Sequence, residues 1–318
     1  RPTDTPASPT MTTRRWAMAE PAGTRRITLT RVFDAPREVV FSFWTDPDHL
    51  KRWWGPDGMD APRVVSDPRP GGELTIDMVG HGMSQTMHAV YRDVVPPERL
   101  VVDARVPGPD GEPMIESSHT VTFVDLGGRT EVTVEASASV SRPEGLAALE
   151  GMGAGWNQSL QCLDDALTGA VDRQLVLMHV YPVLPEVVFP LWVAHEHLER
   201  WWGPDGFSVE TDEFDPRPGG RWRFTMRGPD GTGYPNHVTY AEVTPSARLV
   251  FTHGGADDPG PTFTTIITFD EFGSRTALSL RHVFATAEDR DLVEERYHAV
   301  EGGNQTLARL GALLDELD

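Results

Sequence analysis

The chain has 318 residues, about two domains' worth, and carries 28 Lys plus Arg against 48 Asp plus Glu, a net charge of −20. Both halves are acidic, so a phosphate backbone or an anionic membrane surface is a poor partner, and neither nucleic acid nor membrane is expected. The single cysteine, Cys162, excludes an internal disulfide and a cysteine-based zinc site, and no run of about 18 apolar residues suggests a membrane span.

Residues 1–24 lack an apolar stretch long enough for a signal peptide and read as a flexible tail, with the cytoplasm as the expected compartment. Beyond them the chain repeats itself. WWGPDG occurs at Trp53–Gly58 and Trp201–Gly206, and DPRPGG at Asp67–Gly72 and Asp215–Gly220, both displaced by 148 residues. Aligned without gaps, Phe33–Gly72 and Tyr181–Gly220 share 20 identities in 40 columns. A period this long makes each copy a domain: 25–170 and 171–318.

In the first copy, Arg25–Phe33 alternates apolar and polar residues and predicts a half-buried strand. Asp34-Ala-Pro opens a helix through Trp44, and Pro47–Trp54 forms a second short one, stopped by Gly55-Pro56. Strand-like runs follow at Glu73–Val79, Gln85–Val94, Leu100–Val106, Ser117–Val124 and Thr130–Ser139, separated by turn clusters. Pro143–Thr168 reads as one long helix with a seam of Leu146, Leu149, Gly153, Trp156, Leu160, Leu163 and Leu167. An antiparallel meander needs its apolar face covered, and that terminal helix is the one large amphipathic element left to do it. The expected fold class is α+β: two tandem helix-grip domains, each a curved sheet around a long C-terminal helix.

Phe33-Asp-Ala-Pro, Trp44…Trp53-Trp54-Gly-Pro, Asp67–Gly72, Val94–Leu100 and Gly155-Trp156…Leu160 together resemble the SRPBCC (START-like) superfamily. Within it they are most similar to the domain related to the C-terminal part of the activator of the heat-shock-protein-90 ATPase. The resemblance implies a hydrophobic cavity between sheet and helix and no universal catalytic residue. The second copy departs from the pattern: Tyr181-Pro-Val-Leu-Pro replaces the Asp-Ala-Pro entry, and Gly303 stands where the first copy has Trp156. Either bulky strand residues, Trp222 and Phe224, fill the space, or the second copy keeps an open pocket.

Inward positions expected to contact a ligand are Met78, Met87, His88, Phe123 and Trp156 in the first copy. In the second they are Trp222, Phe224, Met226, His237, Phe269 and Gly303. His88 and His237 are each followed three residues later by a tyrosine, which puts His and Tyr on opposite strand faces and argues against a local catalytic pair. His195-Glu-His197 has the wrong spacing for a helical zinc site, and the glycines of 151–155 lie inside a helix pattern without a lysine, so no metal or cofactor is implied. The leading expectation is non-catalytic binding, sequestration or transport of an apolar small molecule. Its specific version is a polyketide or enediyne bound for self-resistance. One rival is a protein-interaction module regulating a chaperone. Another is a cyclase- or hydrolase-type enzyme using cavity His or Tyr.

Overall fold

The computed structural model describes residues 23–254 and 262–317, so residues 1–22 of the expected tail lie outside it. The first copy runs through β1 (Thr24–Phe33), α1 (Arg37–Thr45), α2 (Pro47–Leu50), β2 (Met59–Ser66), β3 (Glu73–Gly80) and β4 (Met83–Val95). It continues through β5 (Arg99–Pro107), β6 (Pro113–Asp125), β7 (Thr130–Val140), α3 (Leu146–Glu150) and α4 (Met152–Thr168). The second repeats the plan as β8 (Gln174–Tyr181), α5 (Pro185–Val188), α6 (His195–Trp201), β9 (Ser208–Phe214), β10 (Arg221–Arg227) and β11 (Gly233–Thr244). It ends with β12 (Arg248–His253), β13 (Phe263–Phe272), β14 (Arg275–Phe284), α7 (Ala287–Tyr297) and α8 (Ala299–Leu317). Each copy forms one seven-stranded sheet, in the order β1-β7-β6-β5-β4-β3-β2 and β8-β14-β13-β12-β11-β10-β9, every pair antiparallel.

The repeated motifs have local causes. Asp46 caps α2 by accepting from the amides of Asp48 (2.8 Å) and His49 (3.2 Å), and Pro47 supplies the first helical residue. The indole of Trp53 donates to the Phe43 carbonyl at 2.8 Å, and Trp201 repeats this on Leu191 at 3.1 Å, so each first indole pins a helix to its turn. In DPRPGG the final glycine is required by close approach: a Cβ on Gly72 would lie 2.0 Å from the Asp67 carbonyl, and one on Gly220 2.1 Å from that of Asp215. Those turns then bond across to Tyr91 and Tyr240, which sit in the two cores.

The structure corrects three expectations. The terminal helix breaks at Gly151 into α3 and α4, and close approach requires the glycine there: a Cβ would lie 2.1 Å from Cε2 of Phe272, a residue of the second copy. The second covering helix breaks at the matching place, where His298 adopts φ 49°. Beyond the break the buried seam is Leu307, Leu310, Leu313 and Leu314, with Leu317 exposed. Finally, Met59–Ser66, where the sequence pattern predicts no strand, is an edge strand. Pro62 sits inside it, where the ladder to β3 shifts register between Asp60 and Arg63.

Burial also shows how the copies meet. In β7 buried and less buried residues alternate, whereas in β14 every residue from Thr276 to Arg281 is buried. The outer face of the second sheet is therefore covered at β13 and β14. Its cover is α4, which packs on β13 and is tied to it by Asn157 donating to Asp270 at 2.9 Å.

Candidate functional site

Strand alternation places the sequence-predicted residues as follows. Met78, Met87, Phe123 and Trp156 join the first hydrophobic core, and Trp222, Phe224, Met226 and Phe269 join the second. His88 and His237 do not. Met87 and Val238 point into the cores, so their neighbours His88 and His237 stand on the outer faces, and the inward members of the two His/Tyr pairs are Tyr91 and Tyr240. Gly303 opens no space at its own Cβ position, which lies 2.2 Å from Cδ1 of Leu177.

The first interior is an aromatic box. Trp44 lies nearly parallel to Trp156 (centroids 6.0 Å apart, planes 11° apart), and Trp54 closes on Trp156 edge-on at 6.0 Å. Phe123 approaches Trp44 at 6.0 Å, and His119 meets Trp156 at 5.3 Å. Met78, Met152, Trp54 and Trp156 are only partly buried and form its rim. The second interior is built differently. Trp222 stacks on Phe224 at 3.9 Å and meets Trp202 at 5.3 Å.

A further exchange runs across the sheets. In the first copy Ala104, Ser117 and Ala138 face one another along one row, and in the second copy the same register positions hold His253, Phe263 and Phe284. His253 stacks on Phe263 at 4.9 Å and Phe263 meets Phe284 at 5.0 Å. Beside that row the first copy pairs His119 with Ala136, while the second pairs Thr265 with His282 and joins them by a 2.9 Å hydrogen bond. The second interior thus trades one tryptophan for several large strand residues.

Two polar features went unnoticed in the sequence. The buried indole N–H groups of Trp44 and Trp192 have no hydrogen-bond acceptor among the described residues, and the two residues are equivalent in the repeat. An unpaired buried donor costs about 1–3 kcal/mol. His119 is held neutral: burial pushes its pKa down to about 4, against a smaller opposing pull from Asp103. Burial likewise takes His282 to about 3. Cys162 is a thiol rather than a nucleophile, since burial and the nearby Asp57 push it up to about 12. Burial raises Tyr181 and Tyr240 above the ordinary phenol range as well. These groups are set to donate or accept hydrogen bonds and not to exchange protons near neutrality.

The sequence profile described as "Activator of Hsp90 ATPase homolog 1-like protein" matches residues 34–168 and again 182–315. The chain belongs to that family. It has no match among curated proteins. Among solved structures, a Nitrosomonas europaea protein is similar at 26% identity and TM-score 0.42, covering 46% of this chain and 97% of that one. A Mycobacterium smegmatis protein is similar at 24% identity and TM-score 0.42, covering 46% of this chain and 92% of its own. The di-domain ARO/CYC StfQ of the steffimycin biosynthetic pathway is similar at 16% identity and TM-score 0.35, covering 92% of this chain and 99% of that one.

This family member also carries an open trough of about 660 Å³ on the outer face of its first sheet. Two rows of side chains wall it, with Arg26, Arg92 and Asp103 on one side and His88, Arg105 and Glu116 on the other. His88 therefore lines a recess, but a polar one on the side of the sheet away from the helix. Among the described residues no cluster of three or more His, Cys, Asp or Glu is arranged to hold a metal ion, and no helix is long and apolar enough to cross a membrane.

Proposed function

We propose that the protein binds a mostly apolar small molecule bearing a hydrogen-bond acceptor in the sheet–helix interior of its first copy. The observation that carries this reading is the unpaired indole N–H of Trp44 inside an aromatic box. The row Ala104, Ser117, Ala138 supports the first copy over the second, whose matching positions are filled by His253, Phe263 and Phe284. Burial of a planar ligand supplies the affinity, and the indole and the neutral His119 orient it. A polyketide-like or enediyne ligand, held for delivery or self-resistance, fits this chemistry. In the full chain, Nile red, a polycyclic dye with one carbonyl, should bind with its emission enhanced. Trp44→Phe should weaken it about tenfold, whereas Trp192→Phe should leave it within twofold. Equal losses in the two variants, or none, would count against the first-copy site.

The outer trough favours a second reading, a protein-interaction module, since its mixed Arg and carboxylate walls suit a polar partner. The family description points to a chaperone ATPase as that partner. If so, adding the protein should change ATP hydrolysis by an Hsp90-type chaperone, and Arg105→Glu should abolish the change. An unaltered rate would dismiss this reading.

A further inference from the structure

The WWGPDG turn is held differently in the two copies. In the second, Arg309 of α8 donates to the carbonyls of Gly203 (2.8 Å), Pro204 (2.9 Å) and Phe207 (3.1 Å), so one guanidinium caps the whole turn from within its own domain. The equivalent residue on α4 is Cys162, which is too short for that role and gives only a 3.4 Å contact from its sulfur to Asp57. In the first copy His81 donates to the Asp57 carbonyl at 2.8 Å, and the guanidinium that reaches the turn comes from the second copy and takes the Asp57 side chain. Arg281 of β14, 1% exposed, forms an ion pair with Asp57 of the turn and donates through Nε to Asp165 of α4 at 3.1 Å. Ser279 Oγ accepts from Arg281 at 2.9 Å and donates to the second Asp57 oxygen at 2.7 Å. Asp165 is fixed in turn by Gln161 at 3.0 Å, and Gln161 accepts from Arg31 (3.3 Å) and Arg248 (3.1 Å), one from each copy.

The exchange is reciprocal in the sequence. Where the second copy has Arg281 on the outer face of β14, the first has Glu135, exposed on β7. Asp57 is buried in this network, whereas its repeat equivalent Asp205 is exposed. A guanidinium suits the position because its planar fork serves both carboxylates and the hydroxyl at once.

We infer that the second copy is a built-in clamp for the first: Arg281 holds the turn across the domain boundary through the Asp57 carboxylate, where Arg309 holds the matching turn within its own domain through its carbonyls. The clamped turn follows directly on Trp53 and Trp54, and Trp54 is a wall of the aromatic box, so the clamp sets how readily that box opens. This last step rests on the ligand reading above; the clamp itself does not.

The test uses the full chain and peptide-level amide exchange over residues 55–59, with residues 203–207 as an internal reference. Arg281→Leu should speed exchange at 55–59 at least tenfold and leave 203–207 unchanged. Arg309→Leu should do the opposite. Adding Cys162→Arg to Arg281→Leu should restore most of the protection by supplying the cap from α4. Arg281→Lys, which keeps the buried charge, should give an intermediate effect and guards against loss of fold. Unchanged exchange at 55–59, or an equal rise in both turns, overturns the clamp. Nile red release should accelerate with Arg281→Leu and recover in the double variant. Altered exchange with unaltered release overturns control of the opening, and failure of the wild type to bind dye rejects the ligand reading while the exchange data still decide the clamp.

Discussion

Gly303→Trp, which gives the second copy the residue of the first, is expected to lower stability by about 3 kcal/mol. The Cβ position is already 2.2 Å from Leu177, and the ring would enter space bordered by Trp192, Trp202 and Thr265, the equivalents of what surrounds Trp156. In the first copy the corresponding strand positions hold Leu74 and Ala136 in place of Trp222 and His282. Combining Gly303→Trp with Trp222→Leu and His282→Ala should therefore recover at least half of the loss. Thermal unfolding of the single and triple variants reads this directly. A single variant that costs under about 1 kcal/mol would mean that the second interior has room to spare, and a ligand would then fit there as well.

Acid should destabilise the protein between about pH 6.5 and 4, and His119→Leu should remove part of that dependence. An unfolded histidine takes a proton near pH 6.5, but folded His119 resists until about 4 and His282 until about 3. Each contribution is therefore complete above 6.5 and is lost as pH falls through the window. Asp270 works the other way: burial raises it to about 6, so its contribution is present at low pH and lost as pH rises through 6. It offsets one histidine over part of the range. At about 1.4 kcal/mol per pKa unit, His119→Leu should cut the stability difference between pH 7 and pH 4.5 by about 2 kcal/mol. Urea unfolding at the two pH values checks it, and equal losses in wild type and variant would show that His119 is not held neutral.

The architecture was legible because it rests on local signals. Alternation, turn residues and the 148-residue repeat specify a meander and a covering helix without any long-range information. Much of the rest depends on what touches what across great sequence distance. Gly151 must be glycine because Phe272 of the other copy lies against it. Asp57 and Arg281 stand 224 residues apart, and no periodicity marks either one. The site was legible only in part. Apolar inward positions followed from alternation, but Met87 and His88 are adjacent on β4, so naming both as lining residues contradicts the pleat. Trp44, Trp192 and His119 were hidden because their significance lies in a missing acceptor or a lost charge, and neither leaves a trace in residue spacing.

The most direct test labels the indole nitrogens and follows the Trp44 N–H resonance in the full chain as Nile red is added. A ligand acceptor seated in the first interior should move that signal to lower field and slow its exchange with water, while Trp53 and Trp201, already bonded to carbonyls, stay in place. Trp44 unmoved at saturating dye, or shifts confined to Trp192 and Trp202, would contradict the first copy as the ligand-holding half.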